Sequence, residues 1–241
     1  MTSISAQDLD QCPSIKCILV TSTSVDWIDR DAFQQQGIKV LNAPHTNIAA
    51  VAEHAIALYF TARRRTVELH GIMTTTDEYY ERRTLKHCFP ELPLSCSQET
   101  LGVIGYGHLG TCIESIATAL GMRLMVAERK GQPPRDGRVV FEDVLREATV
   151  LVIAAPKNRD TIDMISEDEL RVMRRDAILI NVVRDGTVNE KNLVKALRSG
   201  WIGGAAVDVF ESEPPQRGVS PLLEDVIPNL VLPPHLTWLS A

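Results

Sequence analysis

The chain has 241 residues, 44% of them hydrophobic, which is enough to bury one large or two small cores without disulfides or metals. Its formal net charge of -6 disfavours a nucleic-acid or anionic-membrane surface, because neutralising phosphates requires clustered lysine and arginine. The five cysteines are scattered without a CxxC pair, and no apolar run approaches the ~20 residues of a membrane span. We therefore expect a cytoplasmic protein with a small-molecule ligand and no metal, nucleic-acid or membrane partner.

Strand and helix patterns alternate from the start of the chain. The apolar runs "IKCILVTS" and "IKVLN" predict strands, and "DAFQQQG" between them predicts a short helix closed by Gly37. The stretch "IAAVAEHAIALYFTARRR" predicts a long amphipathic helix over residues 47 to 65, with cations in its last turns. Residues 84 to 99 carry Pro90 and Pro93 without periodicity, which is typical of a segment that crosses between domains.

Six near-continuous apolar runs follow, with helical segments between most of them. They are "LGVIG", "RLMVA", "TVLVIAA", "AILINVV", "GGAAVDVF" and "NLVLP". Runs of this kind predict parallel strands covered on both faces, as in a doubly wound α/β sheet. We therefore predict two domains, one over residues 1–95 and one built on this sheet over residues 96–241. Ligands of such sheets bind at the carboxyl ends of the strands.

A glycine-rich loop follows the first of these six strands. Residues 105–110, "GYGHLG", match GxGxxG and open the helical segment "TCIESIATALG". Gly105 allows the tight turn, Gly107 lets the backbone approach a pyrophosphate, and Gly110 allows the helix to pack closely on the strand. His108 and Leu109 complete the loop, His108 through its backbone. This context predicts a Rossmann dinucleotide-binding site, the alternative being a glycine turn in an α/β fold without a nucleotide.

An acidic residue stands where the cofactor's adenosine ribose is expected. Glu128 ends the strand "RLMVA", about 20 residues beyond the glycine loop, where a carboxylate accepts ribose hydroxyls and repels a 2′-phosphate. This favours NAD. Arg129 and Lys130 follow directly and could instead pair with a phosphate, which leaves NADP as the less favoured cofactor.

Several independent motifs carry a family resemblance. They are "GIKVLNAP", "VAEHAIAL", "LGVIGYGHLG", "ILINVVRDGTVNEKNLVKAL", "GGAAVDVFESEP" and "LPPHL". In this order and near these spacings, the chain resembles the D-isomer-specific 2-hydroxyacid dehydrogenases of the glyoxylate/hydroxypyruvate reductase type over almost its whole length. The resemblance implies a Rossmann NAD-binding domain and a smaller flavodoxin-like substrate domain. It further implies NAD-dependent interconversion of a 2-oxo acid and a D-2-hydroxy acid in the cleft between them.

The resemblance also implies three catalytic residues, Arg184, Glu213 and His235. A guanidinium matches a carboxylate and the adjacent carbonyl oxygen bidentately, so Arg184 would bind and orient the substrate. His235 would donate a proton to the carbonyl oxygen, and Glu213 would orient His235 and stabilise its imidazolium. The structural alternatives are a salt bridge from Arg184 to Asp185, a loop histidine and a solvated glutamate.

Further cofactor contacts are implied by the same match. Asp208 corresponds to the family aspartate that reaches the nicotinamide carboxamide, and Pro156 and Thr161 correspond to a loop beside the cofactor. Val182 and Val183, at the end of "AILINVV", are assigned to the same site. A strand-end cap and a turn proline are the structural alternatives for Asp208 and Pro156.

The chain departs from the family pattern at several points. The family's first βα stretch and its last helix have no counterpart, so we expect an incomplete substrate domain. The glycine-containing substrate loop is replaced by Ser22, Thr23 and Ser24, which add hydroxyl donors but restrict the approach of the backbone. The family's Arg-Gly step is Arg184-Asp185 here, which would partly neutralise the guanidinium.

Three functions are compatible with these observations. The favoured one is a reductase of small 2-oxo acids that completes its cleft as a homodimer, with the helix over residues 47 to 65 as a contact surface. The second is altered chemistry on another carbonyl or carboxylate substrate. The third is an NAD-sensing, corepressor-like interaction module without dehydrogenase activity.

Overall fold

The computed structural model describes residues 14–21, 25, 28–224 and 226–239. Its contacts form two compact units, Met1–Ile48 and Ala49–Ala241. In the smaller unit the described elements are β1 (Cys17–Val20), α1 (Arg30–Gln35) and β2 (Lys39–Asn42). The strands β1 and β2 pair in parallel. Phe33 of α1 is fully buried in a small core with Val20, Ile28 and Ile38.

The larger unit contains a six-stranded sheet and most of the helices. Its strands are β3 (Thr100–Ile104), β4 (Arg123–Val126), β5 (Val150–Ile153), β6 (Ile178–Asn181), β7 (Gly204–Val207) and β8 (Leu230–Val231). The α-helices are α2 (Ile48–Arg63), α3 (Thr66–Thr75), α4 (Glu78–Arg82), α5 (His108–Ala119), α6 (Phe141–Glu147), α7 (Glu167–Val172) and α8 (Glu190–Arg198). Three short 3₁₀ helices cover Lys86–Cys88, Cys96–Gln98 and Pro221–Leu223.

The sheet of the larger unit is parallel and doubly wound. Its strand order is β4-β3-β5-β6-β7-β8, and every neighbouring pair is parallel. Alternate residues of one strand enter different cores: Leu151 and Ile153 of β5 pack with α6, α7 and α8, whereas Val150 and Val152 pack with α2 and α5. This two-sided burial explains the continuous apolar runs, and each fully buried aliphatic side chain contributes about 1.5–3 kcal/mol of stability. The predicted Rossmann fold is confirmed, as are the predicted strands.

The long predicted helix is α2, and its apolar face packs against the larger sheet. Val51, Ala55, Tyr59 and Ala62 are buried in the same core as Ala206 of β7. The predicted contact of this helix with a second copy would therefore have to use its opposite, solvent-facing side.

Because α2 packs on the larger sheet, the compact units divide near residue 48, earlier than the predicted boundary at residues 95 and 96. That domain boundary and the flavodoxin-like substrate domain stay predictions.

Two helices were not anticipated from the sequence. None of the residues of α3 and α4 is buried, so these helices lack the strong apolar periodicity by which a helix is recognised. The proline-containing segment after them contains two 3₁₀ helices and no strand among its residues 84–99, in agreement with its predicted irregularity.

Among the described residues, no helix combines the length and apolarity needed to cross a bilayer. The same residues contain no cluster of three potential metal ligands.

Candidate active site

The predicted site residues follow the carboxyl ends of the six strands. All six strands are parallel, so these ends form one edge of the sheet. Each residue lies within four positions of its strand: Gly105 after β3, Glu128 after β4, Pro156 after β5, Val182 and Arg184 after β6, Asp208 after β7, and His235 after β8. The strand order places the glycine loop between β4 and β5, where the sheet changes direction of winding and ligands typically bind.

The glycine loop is shaped for close approach by a ligand. Gly105 has a positive φ of 90°, and a Cβ there would lie 2.4 Å from the backbone nitrogen of Ala155. A Cβ on Gly110 would lie 2.5 Å from the carbonyl oxygen of Gly105, so close packing of α5 requires this glycine. Gly107, the N-cap of α5, would instead meet no atom within 4 Å. This open space at a helix N-terminus fits the pyrophosphate of a dinucleotide.

We expect Gly107→Ala to weaken cofactor binding without unfolding the protein. Its φ of -98° suits alanine, and a methyl group there fills only the space reserved for the pyrophosphate. The dissociation constant for NADH, measured by fluorescence titration, should rise about tenfold or more. Gly71→Ala in α3, which also meets no atom within 4 Å, is the matched control and should bind NADH like the wild type. Unchanged affinity in Gly107→Ala would place the pyrophosphate elsewhere.

The other loop residues begin α5. Leu109 packs against the core that contains α2, whereas His108 is exposed. Leu109 therefore anchors the start of α5, whose first backbone N–H groups have no partner within the helix and can bind a phosphate.

Glu128 is held by an arginine that the sequence analysis did not consider. Its carboxylate accepts hydrogen bonds from Arg135 Nε at 2.6 Å and Nη2 at 2.9 Å, and from the backbone nitrogen of Arg129 at 2.9 Å. The Arg135 guanidinium, assisted by the backbone of Arg129, lowers the pKa of Glu128 to about 2. Lys130, the other predicted phosphate partner, pairs with Glu169 at 2.7 Å. In the sequence, the pairing of Arg135 with Glu128 is indicated only by the basic composition of the stretch "RKGQPPRDGR".

Glu213 and His235 form a hydrogen-bonded pair. Glu213 Oε2 lies 2.6 Å from His235 Nδ1, and Glu213 Oε1 accepts a hydrogen bond from the backbone nitrogen of Phe210 at 3.1 Å. Both carboxylate oxygens are thus engaged, which fixes the imidazole orientation. His235 has a positive φ of 53°, and its carbonyl oxygen accepts a hydrogen bond from Trp238 Nε1 at 2.8 Å. The ring is held through Nδ1 and leaves Nε2 for a substrate.

Arg184 lies in the turn after β6. Its Nη1 donates to the carbonyl oxygen of Val183 at 2.5 Å, and its own carbonyl oxygen accepts hydrogen bonds from Asn181 and Thr187. Asp185 was expected to neutralise this guanidinium, but its carboxylate pairs with Lys157 at 2.5 Å. The lysine comes from the loop after β5, 28 residues away, which local sequence could not indicate.

Asp208 combines complete burial with an unsatisfied acceptor. Its Oδ2 accepts a hydrogen bond from the backbone nitrogen of Thr237 at 3.2 Å, whereas Oδ1 is buried without a partner. Burial raises the pKa of the Asp208 carboxyl group, and the Thr237 nitrogen and the nearby His54 and His235 partly oppose this. A buried acceptor without a donor costs about 1–3 kcal/mol, so a carboxamide N–H would be stabilising here. Together with the space above Gly107, this acceptor indicates that the site fits a nicotinamide dinucleotide.

The remaining predicted cofactor residues differ in what they can offer. Thr161 Oγ1 donates to the carbonyl oxygen of Pro156 at 2.8 Å and accepts from the backbone nitrogen of Asn158, so this hydroxyl closes its own loop. Val182 is buried in the core, which leaves only its backbone for a cofactor, whereas Val183 is half-buried. The predicted substrate residues Ser22, Thr23 and Ser24 lie outside the described residues. The roles of all these residues stay predictions.

Comparison with known proteins identifies the family. Residues 56–237 match the family model "D-isomer specific 2-hydroxyacid dehydrogenase, NAD binding domain". The chain belongs to the D-isomer-specific 2-hydroxyacid dehydrogenase family. The matched range includes the glycine loop and all three predicted catalytic residues. The match also confirms NAD, the cofactor that the glycine loop and Glu128 predicted.

Individual relatives agree with this assignment. The chain is 37% identical over 236 residues to a glycerate dehydrogenase of Methylorubrum extorquens, covering 98% of this chain and 73% of the relative. It is 32% identical over 240 residues to a glyoxylate reductase of Thermococcus kodakarensis, covering 97% and 70% of the two chains. The crystal structure of the TT0316 protein of Thermus thermophilus superposes with a TM-score of 0.81 at 32% identity, covering 98% of this chain and 73% of that one.

Proposed function

We propose that Arg184, Glu213 and His235 carry the reaction of this NAD-dependent oxidoreductase, the interconversion of a small 2-oxo acid and a D-2-hydroxy acid. The observation that supports this most directly is the 2.6 Å contact between His235 Nδ1 and Glu213 Oε2 at the carboxyl edge of the sheet. A histidine oriented by a carboxylate is the usual arrangement for a positioned proton donor.

Each residue has a defined task in this proposal. NADH supplies the hydride when bound. The guanidinium of Arg184 binds the substrate carboxylate and orients the neighbouring carbonyl group. His235 donates the Nε2 proton to the carbonyl oxygen during reduction and accepts it in the reverse direction. Glu213 stabilises the charged imidazole and prevents it from rotating, and Asp208 offers Oδ1 to the nicotinamide carboxamide.

The substrate that we propose is a two- or three-carbon 2-oxo acid. Support comes from the relatives named glycerate dehydrogenase and glyoxylate reductase, whose names point to hydroxypyruvate and glyoxylate as oxidised substrates. We further propose that residues 1–95 form a flavodoxin-like substrate domain and that residues 96–241 bind NAD.

We also propose that the enzyme is a cytoplasmic homodimer without nucleic-acid or membrane partners. The net charge of -6 supports the absence of a polyanion partner. Because the apolar face of α2 is buried within the chain, we place the dimer contact on α3 and α4. These helices expose Val67, Met73, Tyr79 and Tyr80, each of them at least 50% accessible.

An absorbance assay tests the proposed activity. We expect protein-dependent oxidation of NADH at ~340 nm with glyoxylate and hydroxypyruvate, slower oxidation with pyruvate, and still slower oxidation with branched 2-oxo acids. Reactions without 2-oxo acid correct for background oxidation. If NADH binds, as shown by fluorescence, but none of these acids oxidises it, the proposed substrate class is wrong.

A further inference from the structure

The acidic residue of the adenosine site is already paired in this chain. Arg135 binds both carboxylate oxygens of Glu128 through Nε and Nη2, and its backbone nitrogen donates to Oε2 at 3.2 Å. The Glu128 side chain is 2% accessible, whereas the Arg135 side chain is 66% accessible. The carboxylate is therefore covered by a guanidinium whose outer side faces solvent.

The charge balance at the end of β4 follows from these pairs. The charge of Glu128 is compensated by Arg135, and that of Lys130 by Glu169. Arg129 is exposed, and Arg138 stacks on the ring of Tyr106 with its guanidinium carbon 4.4 Å from the centroid. With Asp136 counted, residues 128–138 contain four basic and two acidic side chains, so this segment carries a net positive charge although its first residue is an acid. This does not match the simple expectation that Glu128 repels a 2′-phosphate.

We infer that Arg135 acts with Glu128 as a determinant of cofactor selectivity, so that the site accepts NADP(H) as well as NAD(H). The inference rests on the dinucleotide binding of the proposed function and concerns only the adenosine end of the cofactor. With NAD(H), the ribose hydroxyls donate to Glu128, and Arg135 remains its partner. With NADP(H), the N–H donors of Arg135 that Glu128 does not use bind the 2′-phosphate, so that the guanidinium bridges the carboxylate and the phosphate.

The geometry allows Arg135 to serve both groups at once. Its Nε and Nη2 stay on Glu128, because a buried carboxylate without its cation would be strongly destabilising. The Arg135 side chain is 66% accessible, so its remaining N–H donors can reach a phosphate in the adjoining solvent without disturbing the core. The 2′-phosphate also gains attraction from Arg129, an exposed cation that directly follows Glu128.

Binding measurements with both cofactors test the inference independently of activity. We expect wild-type protein to bind NADPH with a dissociation constant within about tenfold of that for NADH. Arg135→Ala should raise the constant for NADPH by about tenfold to hundredfold and leave that for NADH nearly unchanged, because NADH has no 2′-phosphate and its ribose hydroxyls can donate to the Glu128 oxygens that Arg135 vacates. Glu128→Gln should lower the ratio of the NADPH to the NADH dissociation constant. The variant frees Arg135 for the 2′-phosphate and weakens the binding of the ribose hydroxyls.

Two nucleotides test the adenosine end of the site without the nicotinamide. In calorimetry, Arg135→Ala should weaken the binding of adenosine 2′,5′-bisphosphate relative to that of 5′-AMP, and Glu128→Gln should strengthen it. Arg146→Ala removes a guanidinium from an exposed pair with Asp143 on α6, and should leave the ratio as in the wild type. Thermal melting of each variant establishes that it is folded.

The possible failures are distinguishable. If wild-type protein binds NADH but the NADPH-to-NADH ratio is the same in Arg135→Ala as in the wild type, the inference is wrong and the proposed function stands. If wild-type protein binds neither dinucleotide, the inference and the proposed function both fail.

Discussion

His235→Ala should lower kcat for NADH-dependent reduction of glyoxylate at least ~hundredfold, since a positioned proton donor contributes about 10²–10⁴ to the rate. The imidazole is held by Glu213 through Nδ1, so its removal eliminates the donor and leaves a carboxylate near the reacting carbonyl. NADH affinity should change little, because the proposed contact of His235 is with the substrate. Steady-state kinetics and fluorescence titration measure the two effects separately.

Two further variants sharpen this prediction. Arg184→Ala should also lose at least ~hundredfold in kcat/KM, because substrate orientation is lost. His70→Ala removes an exposed histidine from α3 and should retain wild-type kinetics. Near wild-type turnover in both His235→Ala and Arg184→Ala would overturn the assignment of the catalytic residues.

Much of the fold could be predicted from the sequence, because buried positions in these elements are apolar and recur with the period of the strand or helix. The strand β5 is apolar at every position since both of its faces are covered, and Gly105 is required by a positive φ that the GxGxxG pattern indicates. Helices α3 and α4 escaped prediction because none of their residues enters a core, so no apolar pattern was required of them.

The candidate site was predictable to the extent that a residue's place depends on its own strand. Asp208 and His235 follow strand ends, and parallel strands bring such residues to one edge of the sheet. Side-chain partners from other loops were not predictable: Asp185 pairs with Lys157, and Glu128 pairs with Arg135 across a turn. These pairings depend on the conformations of the loops, which cannot be predicted from periodicity or motif spacing.

A further long-range partnership connects the end of α2 to the start of β3. Arg63 donates from Nε to Glu99 Oε1 at 2.6 Å and from Nη2 to Oε2 at 2.9 Å. The Glu99 side chain is completely inaccessible to solvent, and it also accepts a hydrogen bond from the Tyr59 hydroxyl at 3.1 Å. Burial, followed by the charge of Glu99, raises the pKa of Tyr59, so the hydroxyl remains a donor. Nη2 also donates to the carbonyl oxygen of Thr149 and Nη1 to that of Asp176, so Arg63 joins α2 to the starts of β5 and β6.

Arg63→Met should therefore be among the most destabilising substitutions in the protein. It would leave the Glu99 carboxylate buried without its cation, and the breaking of such a pair costs about 3–5 kcal/mol. Urea unfolding should show this loss in the free energy of unfolding, whereas Arg146→Ala, in an exposed pair, should cost less than about 1 kcal/mol. The double variant Arg63→Met, Glu99→Leu should be more stable than Arg63→Met alone, because the unpaired charge is removed. An effect of Arg63→Met no larger than that of Arg146→Ala would show that water or another group compensates Glu99, and that α2 is held to the sheet by its apolar face alone.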